Sequence, residues 1–101
     1  MIKYQYKKMK LSIGAIIYQA VNEQKWLDIN YDSKDGKFSR FWFALKDIDF
    51  DKDKLYGEIF NYYKSAECIE DPRPISRLKI KSAKLVEGSF YDAPQALIDK
   101  I

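Results

Sequence analysis

A chain of 101 residues, 47% of them hydrophobic and 16% aromatic, suffices for one domain with a modest core and is too apolar to stay disordered. The absence of histidine and the single cysteine, Cys68, remove the commonest general base, the commonest metal ligand, any internal disulfide and any thiolate metal cage. A net charge of +3 does not by itself imply nucleic acid, and four scattered glycines form no phosphate-cradling loop, so the expectation is a protein without cofactor, metal or enzymatic activity.

Residues 1–11 are a basic lead-in in which Tyr4 and Tyr6 alternate with Lys3 and Lys7, either an edge strand or a loose arm. Its lysines precede an amphipathic stretch rather than an apolar block. Apolar runs elsewhere fall far short of the roughly 20 residues a membrane span needs. The expectation is a cytoplasmic protein with no membrane partner.

Ser12 stands as an N-cap. Ile13, Ile16, Ile17, Ala20 and Val21 then follow at the spacing of one apolar helical face, with Gln19, Asn22 and Glu23 opposite, which predicts a helix over 13–25. Leu27, Ile29 and Tyr31 alternate with Asp28 and Asn30 as a first strand. Asp35-Gly36 signals a turn. A second strand over 38–45 puts Phe41, Phe43 and Leu45 on one face and Arg40 and Trp42 on the other.

The polar run 46–54 reads as a connection and 55–63 as a third strand, in which Gly57 marks a bulge or a close approach. Pro72 and Pro74 cannot donate to a ladder, so "KSAECIEDPRP" is expected to be a loop. "SRLKIKS" is a fourth strand, running on to Val86 with an irregularity near Ser82-Ala83, with Leu78 and Ile80 inward and Arg77, Lys79 and Lys81 outward. In the tail, Asp92 and Gln95 have the spacing of a capping box with Pro94 in the first turn. The apolar pattern of that helix stops at Ile101, which suggests an excised piece of a longer protein. The expected fold is α+β: an N-terminal helix packed on a small antiparallel sheet curling into an SH3/Sm-like β-barrel, with a short C-terminal helix.

This order of features resembles the WYL domain family, an Sm-like barrel of bacterial regulators and of some helicase- and CRISPR-associated proteins. The matching positions are Ile16 and Ala20 in the helix, Ile29 and Tyr31 in "LDINYDS", Arg40 in "FSRFWFAL", and "SRLKIKSAKLV" for the closing strand. At the name-giving Trp-Tyr-Leu this chain has Leu55-Tyr56-Gly57, so only the Tyr matches. Aromatic residues replace the Pro usual after the second-strand Arg, and Lys79 stands where an Arg is usual. The resemblance covers residues 12–90, leaving 1–11 as an arm and 91–101 as the start of a C-terminal helix. It implies binding of DNA, RNA or a nucleotide-like ligand that controls an attached effector, and it carries the family's ligand-contacting positions onto Arg40, Tyr56 and Lys79.

Each candidate has a plainer role beside the functional one. Arg77, Lys79 and Lys81 either meet successive phosphates or form a solvated face that discourages edge pairing. Arg40 and Trp42 are either a stacking platform for a planar anion or a core Trp with an Arg lying over it. Tyr56, Tyr62 and Tyr63 either stack on bases or simply favour a strand. Asp47, Asp49, Asp51 and Asp53 invite a calcium reading, but Lys54 and Phe60 stand where such a loop needs Gly and Glu. Glu67 and Glu70 beside Cys68 disfavour its thiolate. The expected function is a non-catalytic, WYL-like module of a larger bacterial protein that binds nucleic acid or a nucleotide-type ligand through Arg40, Trp42, Tyr56, Arg77, Lys79 and Lys81. The alternative is a docking domain inside a larger enzyme such as a DNA helicase, contacting neighbouring domains through its edges and C-terminal helix.

Overall fold

In a computed structural model that describes residues 12–33, 39–61 and 67–101 (61 and 67–73 as backbone alone), Ser12 caps the first helix as its sequence position demands. Its Oγ accepts from the Ala15 N–H at 3.2 Å, and α1 runs Ile13–Glu23. Ser12→Ala is expected to lower the urea midpoint by the equivalent of about 1 kcal/mol, the usual cost of a lost cap. Ile17, Ala20 and Val21 are buried, as their spacing requires. Gln24 ends the helix in the left-handed region with φ 54°, its N–H bonded to the Ala20 and Val21 carbonyls.

Five antiparallel strands follow: β1 Leu27–Tyr31, β2 Arg40–Asp49, β3 Lys54–Asn61, β4 Glu67–Ser76 and β5 Ile80–Leu85, in the spatial order β4-β3-β2-β1-β5. Leu27 pairs with both Phe43 and Leu85, and Phe43 with Ile59, so one apolar row crosses the sheet on the face that α1 covers. A short helix, α2 (Gln95–Lys100), packs Leu97 into the same core. No helix of the described residues is long and apolar enough to cross a membrane. The lead-in with Tyr4 and Tyr6, the Asp35-Gly36 turn, and Tyr62 and Tyr63 lie outside the described residues.

β4 and β5 lie at opposite edges of the sheet, yet only the single 3₁₀ turn Arg77–Lys79 separates them in sequence. Four strand spacings in a flat sheet would hold them about 19 Å apart. A link from Ser76 to Ile80 reaches at most about 15 Å. The sheet must therefore curl, and the Ser76 N–H donating to the Tyr31 hydroxyl at 2.8 Å ties the end of β4 directly to β1. No β4–β5 ladder completes the circle, so among the described residues the sheet is curled and open.

Four sequence expectations need correction. From Glu67 on, the segment read as a Pro-broken loop is β4. An edge strand has one side with no partner to lose, and Pro72 falls where the register shifts between Gly57 and Ile59, a bulge that needs no ladder donor. "SRLKIKS" is not one strand: Arg77, Leu78 and Lys79 form the 3₁₀ turn, Leu78 is exposed, and the irregularity falls at Lys81, between the Tyr31–Ile80 and Asn30–Ser82 pairs. The polar run 46–54 is mostly strand, because a register shift at Lys46 returns Ile48 to the core opposite Leu55 and leaves only residues 50–53 as turn. Finally, no capping box forms. Pro94 is the N-cap of α2 and the Gln95 amide bonds the Asp99 carboxylate instead.

Candidate ligand-binding face

Directly paired residues on neighbouring strands share a face, so register alone assembles a row that the linear pattern does not show. Asp28 lies opposite Lys84 on one side and Trp42 on the other, and Trp42 lies opposite Phe60. The adjacent row holds Ser82, Asn30 and Arg40. This is the sheet face turned away from the Leu27–Phe43–Ile59 core row.

Its aromatic half is a half-buried cluster. The Trp42 ring sits 5.7 Å from Phe60 and 6.5 Å from Trp26, tilted against both. Trp26 is held in place by its indole N–H on the Phe90 carbonyl, its backbone N–H on Ser89 Oγ, and an edge contact to Tyr91. The polar half is a shallow hollow of about 260 Å³ lined by Asp28, Asn30, Arg40, Ser82, Ala83 and Lys84. Arg40 Nη2 stands 3.4 Å from the Asp28 carboxylate, which is only 9% exposed. Lys84, Lys81 and Lys79 are exposed and have no ion-pair partner among the described residues. The hollow therefore offers the Lys84 cation, a hydroxyl and an amide beside an aromatic surface, together with the Asp28 carboxylate that already engages Arg40.

The structure brings together Arg40 and Trp42, with Lys81 at the neighbouring bulge, and separates the rest. Lys79 is exposed in the 3₁₀ turn, where its carbonyl accepts from the Asp32 N–H. Arg77 does not join a basic row: Nε and Nη2 grip the two Asp53 carboxylate oxygens at 2.7 and 3.0 Å, and its N–H bonds the Asp53 carbonyl. Asp53, in the left-handed region with φ 56°, is thereby fixed to the 3₁₀ turn, and its carboxylate holds the guanidinium charged even more firmly than usual. Tyr56 lies opposite Asp47, in a hollow walled by Asp47, Asp49 and Asp51 that would repel phosphate. Tyr31, which carries part of the family resemblance, serves the fold by tying β1 to β4.

Sequence reasoning missed Lys84, Asn30 and Ser82. A polar residue at every second position of two separate strands was the available signal, but only the β1–β5 register puts them in one hollow. No group of three or more His, Cys, Asp or Glu side chains is placed to hold a metal ion among the described residues.

Fold and face together define a small α+β module with a mixed aromatic and basic sheet surface. Comparison with protein-family models, with curated proteins and with solved structures returns no match.

Proposed function

We propose that this chain is a non-catalytic, WYL-like accessory module of a larger cytoplasmic bacterial protein, and that it binds nucleic acid or a nucleotide-type ligand through the Arg40–Trp42–Lys84 face. We read its curled sheet as an SH3/Sm-like barrel left open between β4 and β5. The observation that carries the reading is Lys84. It is exposed without an ion-pair partner among the described residues, at the mouth of a hollow shared with Arg40, Asn30 and Ser82, and with only β1 between its strand and that of Trp42.

The mechanism is charge neutralisation plus stacking. Lys84 and Lys81 take phosphate oxygens, Ser82 and Asn30 add hydrogen bonds, and the Trp26–Trp42–Phe60 cluster receives a base. Asp28 anchors Arg40 on the face and keeps its positive charge modest there. The β2–β3 turn and the end of β2, with Asp47, Asp49, Asp51 and Asp53, lie off the nucleic-acid path.

Titration of a fluorescein-labelled single-stranded oligothymidylate at low and moderate salt tests this. Affinity should fall as salt rises, because phosphate binding releases counterions. Lys84→Glu should weaken binding by about tenfold, equivalent to about 1.4 kcal/mol, while lowering the thermal midpoint only slightly through the second carboxylate it sets opposite Asp28. Arg77→Ala, which alters a cation already held by Asp53, should leave affinity unchanged. Equal binding by the parent, Lys84→Glu and Lys81→Glu would show the face to be wrongly assigned.

A further inference from the structure

Away from the basic face, an apolar groove of about 370 Å³ opens between α1, the β2–β3 turn and the end of the chain. Ile17, Ile48 and Leu55 form its floor, and Tyr18, Phe50 and Ile101 stand on its rim. Five large apolar side chains stay exposed among the described residues, and these last three all converge here. Scattered exposed apolar residues need no explanation; a set gathered around one concavity does. The Arg77–Asp53 pair closes one end.

A second hollow adjoins the first, sharing Ile48, Phe50 and Lys100, and is walled by Asp47, Asp49 and Asp51. Lys100 neutralises Asp47, but Asp49 and Asp51 have no ion-pair partner among the described residues. The Asp49 carboxylate is held in place by the Asp51 and Lys52 backbone N–H groups. Lys52 in the same turn and Lys54 at the start of β3 line neither hollow. The surface thus joins an apolar slot to one that stays net negative despite Lys100, across a boundary of Phe50, Ile48 and Lys100.

We propose that this double hollow docks a basic, amphipathic segment of another protein, in which a large apolar residue sits next to Lys or Arg. The apolar side chain fills the groove between Tyr18 and Phe50, and the neighbouring cation enters the hollow of Asp49 and Asp51. The two halves demand different chemistry at adjoining positions, which sets the partner's sequence pattern and excludes a phosphate backbone.

Fluorescence anisotropy of a short fluorescein-labelled peptide alternating Leu and Lys tests the proposal on the full chain. Binding should weaken with salt and vanish when the peptide's Lys residues are changed to Glu. Phe50→Ser and Asp51→Lys, both at exposed positions, should each weaken it by about tenfold while the circular-dichroism spectrum stays that of the parent. Lys84→Glu, on the other face, should leave it unchanged. No binding, or binding undiminished in both groove variants, overturns the proposal. Two further outcomes also overturn it by naming a different occupant. Self-association in sedimentation that Phe50→Ser abolishes would assign the groove to a second copy. Tighter peptide binding by Lys7→Glu/Lys8→Glu would assign it to the chain's own basic lead-in.

Discussion

Gly57→Ala is expected to destabilise the domain by at least about 3 kcal/mol, at the upper end of what overpacking a core costs. The sign is the informative part. At a site whose backbone tolerates it, Gly→Ala normally stabilises by about 0.4–1 kcal/mol, by restricting the unfolded chain. Here a Cβ would stand 2.1 Å from the Ala44 carbonyl oxygen and 3.0 Å from Phe43 Cζ. The ring can turn aside, whereas the carbonyl belongs to the central strand β2 and cannot move without breaking its ladders. Phe43→Leu in the Gly57→Ala background should therefore restore nothing. Urea unfolding followed by circular dichroism measures both variants, and a Gly57→Ala protein as stable as the parent would rule out this close approach of β2 and β3.

A steep loss of stability between about pH 10 and pH 12 is the second large effect, and Tyr91 is its source. Burial pushes the Tyr91 hydroxyl from 10.0 up to about 12. The side chain is 5% exposed, and the hydroxyl oxygen is buried with no hydrogen-bond partner among the described residues. The folded protein thus keeps a proton that the unfolded chain gives up above pH 10. The associated stability is fully present below that pH and is lost as pH rises through about 12, at most about 2–3 kcal/mol for a shift of this size. Tyr91→Phe should flatten the window. It should also raise stability at neutral pH by about 1 kcal/mol, since a buried donor without a partner is removed while the ring keeps its contacts with Trp26 and with Lys46, whose Nζ lies 5.5 Å from its centre. Urea midpoints of both proteins from pH 9 to pH 12 decide the matter.

The elements legible in the sequence were those whose period is set by burial on one face. Ile17, Ala20 and Val21 announce α1, and Leu27, Ile29, Phe41 and Phe43 announce β1 and β2, because the core accepts only one side of each. β4 was illegible because Pro72 and Pro74 break ladders in central strands, and only the finished sheet shows that this strand is an edge. The alternation in "SRLKIKS" misled for a related reason. Period two is consistent with a strand but also with a short turn entered and left by strands, and an exposed Leu78 carries no mark in the sequence. On the candidate face, Arg40 and Trp42 are legible together because they alternate with core residues on a single strand. Lys84, Asn30 and Ser82 were not, because their meeting depends on cross-strand register. Arg77 and Tyr56 fell elsewhere because the 3₁₀ turn and the Asp-rich turn beside them captured one and surrounded the other.

The three-residue link between the two edge strands also bears on how the chain folds. β1 through β4 pair each with the next along the sequence, so that meander can zip from neighbouring contacts. β5 instead joins Leu85 to Leu27, so that this pairing spans the whole sheet in sequence. With only Arg77–Lys79 as tether, β5 cannot reach β1 until the meander has already curled. Docking of the last strand and bending of the first four thus become a single event, with a high proportion of non-local contacts and the millisecond-to-second timescale typical of such topologies. Lengthening the tether would uncouple the two steps, leaving a curved four-stranded meander whose β1 edge waits for a partner.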